Sequence, residues 1–205
     1  GGWHNDWQAF AASPFRETIK LEADMVITGP IDHWWPWFEH RDVVISLGMR
    51  NYLNEISECR AYRRMFDDND LPDVYNGLMY FRFSQEAATF FRTAQTIQNN
   101  WATVSNQLLK AVEDTPSTDV LYAITAAVVG EETCTMPSMD FINFVHMKPA
   151  INGSEEDTKF TDNFVVEFDN GMIRVNNINQ LHPFHYYIKD FITQDMLDYY
   201  GSRIS

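Results

Sequence analysis

The stretch Thr18-Ile19-Lys20-Leu21-Glu22-Ala23-Asp24-Met25-Val26-Ile27 constrains this chain most. It is apolar apart from Lys20 and two carboxylates, Glu22 and Asp24. In an extended chain successive side chains alternate, so Glu22 and Asp24 would fall on one side, one above the other. An apolar run ending in acids fits a buried strand whose C-terminal end opens on a site, because ligands of open α/β sheets bind beyond such ends. Two carboxylates there suit a hard divalent cation held through oxygen. A strand end with two solvated acids gives the same pattern, since a bare acid-x-acid pair is a short motif.

The 205 residues are enough for one domain with a substantial core, and residues 1–205 are expected to form one. Hydrophobic content of 45% with 15% aromatics marks a globular chain. A formal charge of −14 argues against nucleic acid and anionic membrane as partners, because both need basic surface. Cys59 and Cys134 lack metal-ligand spacing and read as reduced thiols of a cytoplasmic protein, with one disulfide left open. No apolar run approaches the ~20 residues of a membrane span, and no signal-peptide pattern opens the chain.

Helical spacing of Trp3, Trp7, Phe10 and Ala11 predicts a helix that Ser13-Pro14 ends. Trp34, Trp35 and Trp37 surround Pro36 in a short helix or turn. Such a cluster is either core or a stacking surface for a sugar. Residues 42–48 read as a second buried strand. Arg60, Arg63 and Arg64 precede Asp67-Asp68-Asn69-Asp70, giving either a phosphate contact or a solvated face paired with those acids. That acidic loop lacks the glycine and terminal glutamate of an EF-hand. Residues 74–77 suggest a turn leading into a strand. Ser84 then caps a long helix with Ala87, Phe90, Phe91, Ala94, Ile97, Trp101, Val104 and Leu108 on its apolar face. A second helix, capped by Ser117 or Thr118, would bury Val120, Leu121, Ile124, Ala127 and Val128 and end at Gly130. Residues 140–147 read as another strand and 152–162 as a polar loop. Asn170-Gly171 between two alternating runs signals a hairpin. Strands parted by helices early, with a hairpin late, predict an α/β fold: a mostly parallel mixed sheet flanked by helices, with an antiparallel addition.

Four segments together resemble the GT-A-type nucleotide-sugar glycosyltransferases, in particular the glycogenin-like branch and related bacterial and phage proteins. They are Leu21-Glu22-Ala23-Asp24-Met25 at the strand end, Asn76-Gly77 with the apolar run to Phe81 and Ser84, Asp119 at a helix start, and His146-Met147-Lys148-Pro149. They cover roughly residues 13 to 150. The chain departs from the family in having Glu22 for the first aspartate, no glutamine after Asp119, and a compressed His-Lys-Pro element. Only 21 residues precede Glu22, so the resemblance implies a chain lacking its N-terminal nucleotide-binding part. A sheet edge left open in that way would be covered by self-association into a homo-oligomer.

The resemblance implies a hexosyltransferase-type enzyme, dependent on Mn2+ or Mg2+, that moves a sugar from a nucleotide-diphosphate donor to an unknown acceptor. Asp24 and His146 would be direct metal ligands, and Glu22 would touch metal or ribose. Lys148 would offset charge on the leaving phosphate, Asn76-Gly77 would sit at the donor sugar, and Asp119 would orient the acceptor hydroxyl or the donor sugar. Taken without the family, His146 reads equally as a satisfied histidine, Asp119 as an acid on a helix N-terminus, and Asn76-Gly77 as a turn. His182, His185 and Lys189 form a second polar cluster, suited to closing the site from the C-terminal side or, through His182-x-x-His185, to a separate metal site. Two further functions share these residues: a noncatalytic carbohydrate-binding or assembly module using Trp34, Trp35 and Trp37, and a metal-dependent hydrolase.

Overall fold

The computed structural model describes residues 5–57, 59–60, 63–111, 114–136, 142–154 and 160–202. Trp3, Asp140, Phe141 and part of the polar loop at 152–162 lie outside them. The strands are β1 (Glu17–Leu21), β2 (Met25–Val26), β3 (Val43–Leu47), β4 (Val74–Arg82), β5 (Val145–His146), β6 (Val166–Asp169), β7 (Met172–Val175), β8 (Ile178–Asn179) and β9 (Phe184–His185). The α-helices are α1 (Ala9–Ala12), α2 (Trp35–Phe38), α3 (Arg64–Asp68), α4 (Gln85–Asn99), α5 (Trp101–Ser105), α6 (Thr118–Val129), α7 (Glu131–Cys134) and α8 (Gln194–Gly201). The chain is therefore mixed α/β. Two compact units form, one from residues 1–21, 32–48 and 60–142, the other from 22–31, 49–59 and 143–205.

The first unit is built on the sheet β1-β4-β3. β4 lies in its centre and runs antiparallel to both neighbours. This corrects the mostly parallel sheet expected from sequence. β1 and β3 do run in the same direction, as strands separated by helical segments suggest, but β4 inserts between them with the opposite sense. Parallel neighbours need a crossover connection that brings the chain back to the same end, and the return strand here pairs directly instead. One sheet face packs under α4 and α6. Ala87, Phe90, Phe91, Ala94 and Ile97 are buried there, as their spacing predicts, but the predicted helix ends at Asn99 and Trp101 is buried from the separate α5. Ser84 Oγ accepts from the Ala87 N–H and Ser117 Oγ from the Val120 N–H, so both predicted caps form. α6 buries Tyr122, Ala123 and Ala126, whereas Val128 faces solvent. On the opposite face, Phe38 stacks on Tyr80 with ring centroids 4.1 Å apart.

Two local expectations change. The register between β3 and β4 jumps, with Ile45 opposite Met79 and Ser46 opposite Tyr75. Asn76 and Gly77 therefore lie in a bulge of a buried strand, not in a turn before it. The stretch from Thr18 to Ile27 is also not one strand. β1 stops at Leu21, and the Met25 N–H donates to the Glu22 carbonyl at 3.2 Å, closing a turn over Glu22-Ala23-Asp24.

The second unit has its own core of Val145, Met147, Ile173, Val175, Phe184, Phe191 and Met196. Its sheet β2-β9-β5 pairs β9 antiparallel with β2 and parallel with β5. Beside it, β6-β7-β8 is an antiparallel meander whose first turn is Asn170-Gly171, with Asp169 opposite Met172. Asn170 has φ of 49° and Gly171 of 92°, the left-handed pair that a two-residue hairpin turn requires.

Candidate metal centre

The turn at Glu22-Ala23-Asp24 sits between two strand pairings, and β2 fixes what it meets. Met25 lies opposite His185 in the β2/β9 register, and the Tyr186 N–H donates to the Asp24 carbonyl at 3.1 Å. His185 Nε2 consequently lies 2.9 Å from Asp24 Oδ1 and 3.3 Å from Glu22 Oε2. One ligand atom from each of the three side chains lies within 4.8 Å of the others. Atoms bound to one ion at ~2.0–2.3 Å are separated by roughly 3–4 Å, so the three side chains can share an ion after small rotations. Both carboxylates are partly open to solvent, while His185 is buried, a common arrangement for an ion that keeps open positions. Among the described residues these three form the one such group.

His146, expected as a metal ligand, is not in the three-residue group but stacks on its histidine. β5 and β9 pair with His146 opposite His185, so the two imidazoles lie face to face, 4.2 Å apart and 2° from parallel. Phe144 meets both rings, and Tyr187 packs edge-on against His146. His185 Nδ1 is buried without a hydrogen-bond partner among the described residues. Stacking thus orients the ring that faces the acids, where a hydrogen-bonded carboxylate or carbonyl is the usual device. Lys148 follows β5 by two residues, and its carbonyl accepts from Asn152 Nδ2 at 2.8 Å. The carbonyl of His182 accepts from Thr28 Oγ1 at 2.8 Å, and His182 is not part of the three-residue group.

Asn76, Gly77 and Asp119 belong to the first unit, where Asn76 and Asp119 share a partly buried polar network. Asp119 Oδ1 accepts from the Asn76 N–H at 2.8 Å. The Asn76 side chain donates to Asp6 at 3.1 Å and accepts from Lys20 Nζ at 3.1 Å. Asp6 also pairs with Lys20 at 3.0 Å and accepts from the Tyr122 hydroxyl at 2.7 Å. Burial, with the Asp6 carboxylate beside it, pushes the Tyr122 hydroxyl well above the usual tyrosine range. Arg63 donates to Asp119 at 3.1 Å, to Asp73 at 2.9 Å and to the Val74 carbonyl. Its guanidinium lies between the rings of Phe66 and Tyr75, 3.9 Å and 3.7 Å from their centroids. Arg63 is therefore a structural cation and not a solvated phosphate contact. Arg60 lies with Asp67 and Asp73.

Of the three tryptophans around Pro36, Trp34 is buried, Trp37 is exposed and Trp35 packs edge-on against Phe38 and Tyr80. No helix among the described residues is long and apolar enough to cross a membrane. The sequence places His185 in a cluster with His182 and Lys189, either closing the acid site or binding a metal apart from it; of the cluster, only His185 joins the acids in the three-residue group. The β2/β9 pairing that carries His185 to Asp24 has no signal within either segment. Compared with protein-family models and with curated proteins, the chain matches none.

Proposed function

We propose that this protein is a divalent-cation-dependent glycosyltransferase of GT-A type that moves a sugar from a nucleotide-diphosphate donor, with Glu22, Asp24 and His185 as its metal-holding residues. The observation that carries the reading is the convergence of those three ligand atoms within 4.8 Å. The acid-x-acid turn, Asn76-Gly77, Asp119 and His146-Met147-Lys148-Pro149 add the order of motifs typical of such enzymes. Departure of a nucleoside diphosphate builds negative charge that must be met where it develops. A Mn2+ or Mg2+ ion held here would supply that charge as a Lewis acid and template.

The chain's own residues have separate tasks. Glu22 and Asp24 offer oxygen ligands from a turn whose ends are tied to β1 and β2. His185 offers a nitrogen, and stacking on His146 keeps its ring edge toward the acids. Lys148 serves as a point charge for the leaving phosphate. Asp119 and Asn76 hold one another within the first unit and enter the reading through the order of motifs alone.

Calorimetric titration with Mn2+, followed by uridine diphosphate with and without Mn2+, tests the reading. Mn2+ should bind, uridine diphosphate should bind only in its presence, and Asp24→Ala or His185→Ala should weaken the metal by at least ~10-fold. Metal binding with no nucleotide affinity would favour a metal-dependent hydrolase. Failure of both ligands to bind the intact protein would overturn the proposal.

A further inference from the structure

The second unit contains a cavity of about 330 Å³ directly beside the acid turn. Ala23 and Met25 form part of its wall, and they alternate along the chain with Glu22 and Asp24. Tyr186, the residue after His185, forms another part. These wall residues are thus covalent neighbours of the three candidate ligands, with successive Cα atoms ~3.8 Å apart. Met196, Leu197 and Tyr200 of α8 complete the opposite side. The Tyr200 hydroxyl donates to the Ile27 carbonyl at 3.5 Å, tying the helix to the segment that follows β2.

The wall carries no charged side chain, although it adjoins two carboxylates in a chain of net charge −14. A purely aliphatic wall would accept any apolar group. Here two tyrosine rings and two methionine thioethers line the space, and both favour a ring: tyrosines by offset or edge packing, thioethers by sulfur contact at a ring edge. The volume lies near the small end of the range for ligand pockets, enough for one ring and short substituents. Leu197 is 56% exposed, which leaves an approach from solvent past α8.

We propose that this cavity is a subsite for an aryl group, seated beside the metal centre as the apolar end of the acceptor. The acceptor and the ion beside it rest on the function proposed above; the aryl site itself does not. The step it serves forms a glycosidic bond between the donor's anomeric carbon and an acceptor hydroxyl as the bond to the diphosphate breaks. The hydroxyl proton goes to a base or solvent and the diphosphate departs. The aryl subsite contributes position alone.

The test uses p-cresol as the probe and the intact protein labelled with 13C at its methionine methyls, with Met25 and Met196 assigned through Met25→Leu and Met196→Leu. Cresol should shift both methyls without any metal, and Leu197→Glu should abolish those shifts. Adding Mn2+ should then broaden the cresol signals, with Mg2+ as the diamagnetic control. Absence of methyl shifts would overturn the subsite. Methyl shifts without broadening, in protein that calorimetry shows to be loaded with Mn2+, would overturn its place beside the metal. If calorimetry shows no Mn2+ binding at all, the transferase reading fails and the metal-free methyl shifts alone decide whether the aryl site stands.

Discussion

Arg63 keeps its charge at 2% exposure because every direction around the guanidinium is answered. Two carboxylates and a carbonyl accept its protons in the ring plane, and Phe66 and Tyr75 cover its faces. Arg63→Met leaves Asp73 and Asp119 without their cation and the Val74 carbonyl without a donor. The expected loss is about 3 kcal/mol, read as a lower urea midpoint, and Arg63→Lys should recover little of it because an ammonium lacks the planar fork. Cys134 gives a second residue-scale expectation. Burial pushes its thiol up to about 12, with Glu131 and Glu132 adding to the shift. The unfolded chain ionises that thiol near 9.0, so the stability of keeping it neutral is complete below pH 9 and declines as pH rises toward 12. At pH 8, iodoacetamide should modify half-buried Cys59 first and reach Cys134 only when the protein unfolds. Equal rates at both thiols in folded protein would contradict that burial.

Among the elements, the β6/β7 hairpin was legible because its signal is local. Asn170-Gly171 supplies the two left-handed residues of the turn, and the flanking runs alternate. The structure adds a tertiary reason for the glycine, since a Cβ at position 171 would lie 2.5 Å from the Tyr199 hydroxyl oxygen and 3.2 Å from its ring edge. Gly171→Ala should therefore cost about 1–3 kcal/mol, combining left-handed strain with displacement of Tyr199. Tyr199→Leu in the same chain should return part of that loss, and additivity of the two substitutions in a double-mutant cycle would exclude the contact. The caps at Ser84 and Ser117 and the buried face of α4 were legible for the same reason: each is decided by residues three or four apart. The opposite sense of β4, the bulge that absorbs Asn76-Gly77 and the arrival of His185 beside Asp24 are decided by pairings between segments far apart in the chain. Propensity and periodicity describe one segment at a time and carry no information about partners or direction. The acid turn lies between these cases. The sequence marked Glu22 and Asp24 as a pair, but the apolar residues on both sides suggested one strand where the chain turns.

At the scale of the whole molecule, the two units are interlaced along the chain. The second takes its β2 edge and both candidate carboxylates from residues 22–31, which lie between two segments of the first unit. A fragment beginning at residue 143 would keep His185 and lose Glu22, Asp24 and β2. Metal binding consequently depends on a segment that is paired within the second unit and continues at both ends into the first. One cooperative transition is the expected outcome for the intact chain if that shared continuity couples the units. If Mn2+ binds only the folded state, Mn2+ at one hundred times its dissociation constant stabilises that state by about 2.7 kcal/mol, or roughly a hundredfold in the unfolding equilibrium. Hydrogen exchange tests whether both units share that gain. The amides of Val145, Met147 and Tyr186 in the second unit should slow by about that factor on adding Mn2+. The deeply buried amides of α6 in the first unit, such as those of Tyr122 and Ala123, should slow equally, although they belong to a different core from the ion's. Slowing confined to the second unit would show that the units open independently and that the ion's stabilisation is local to the one that holds it.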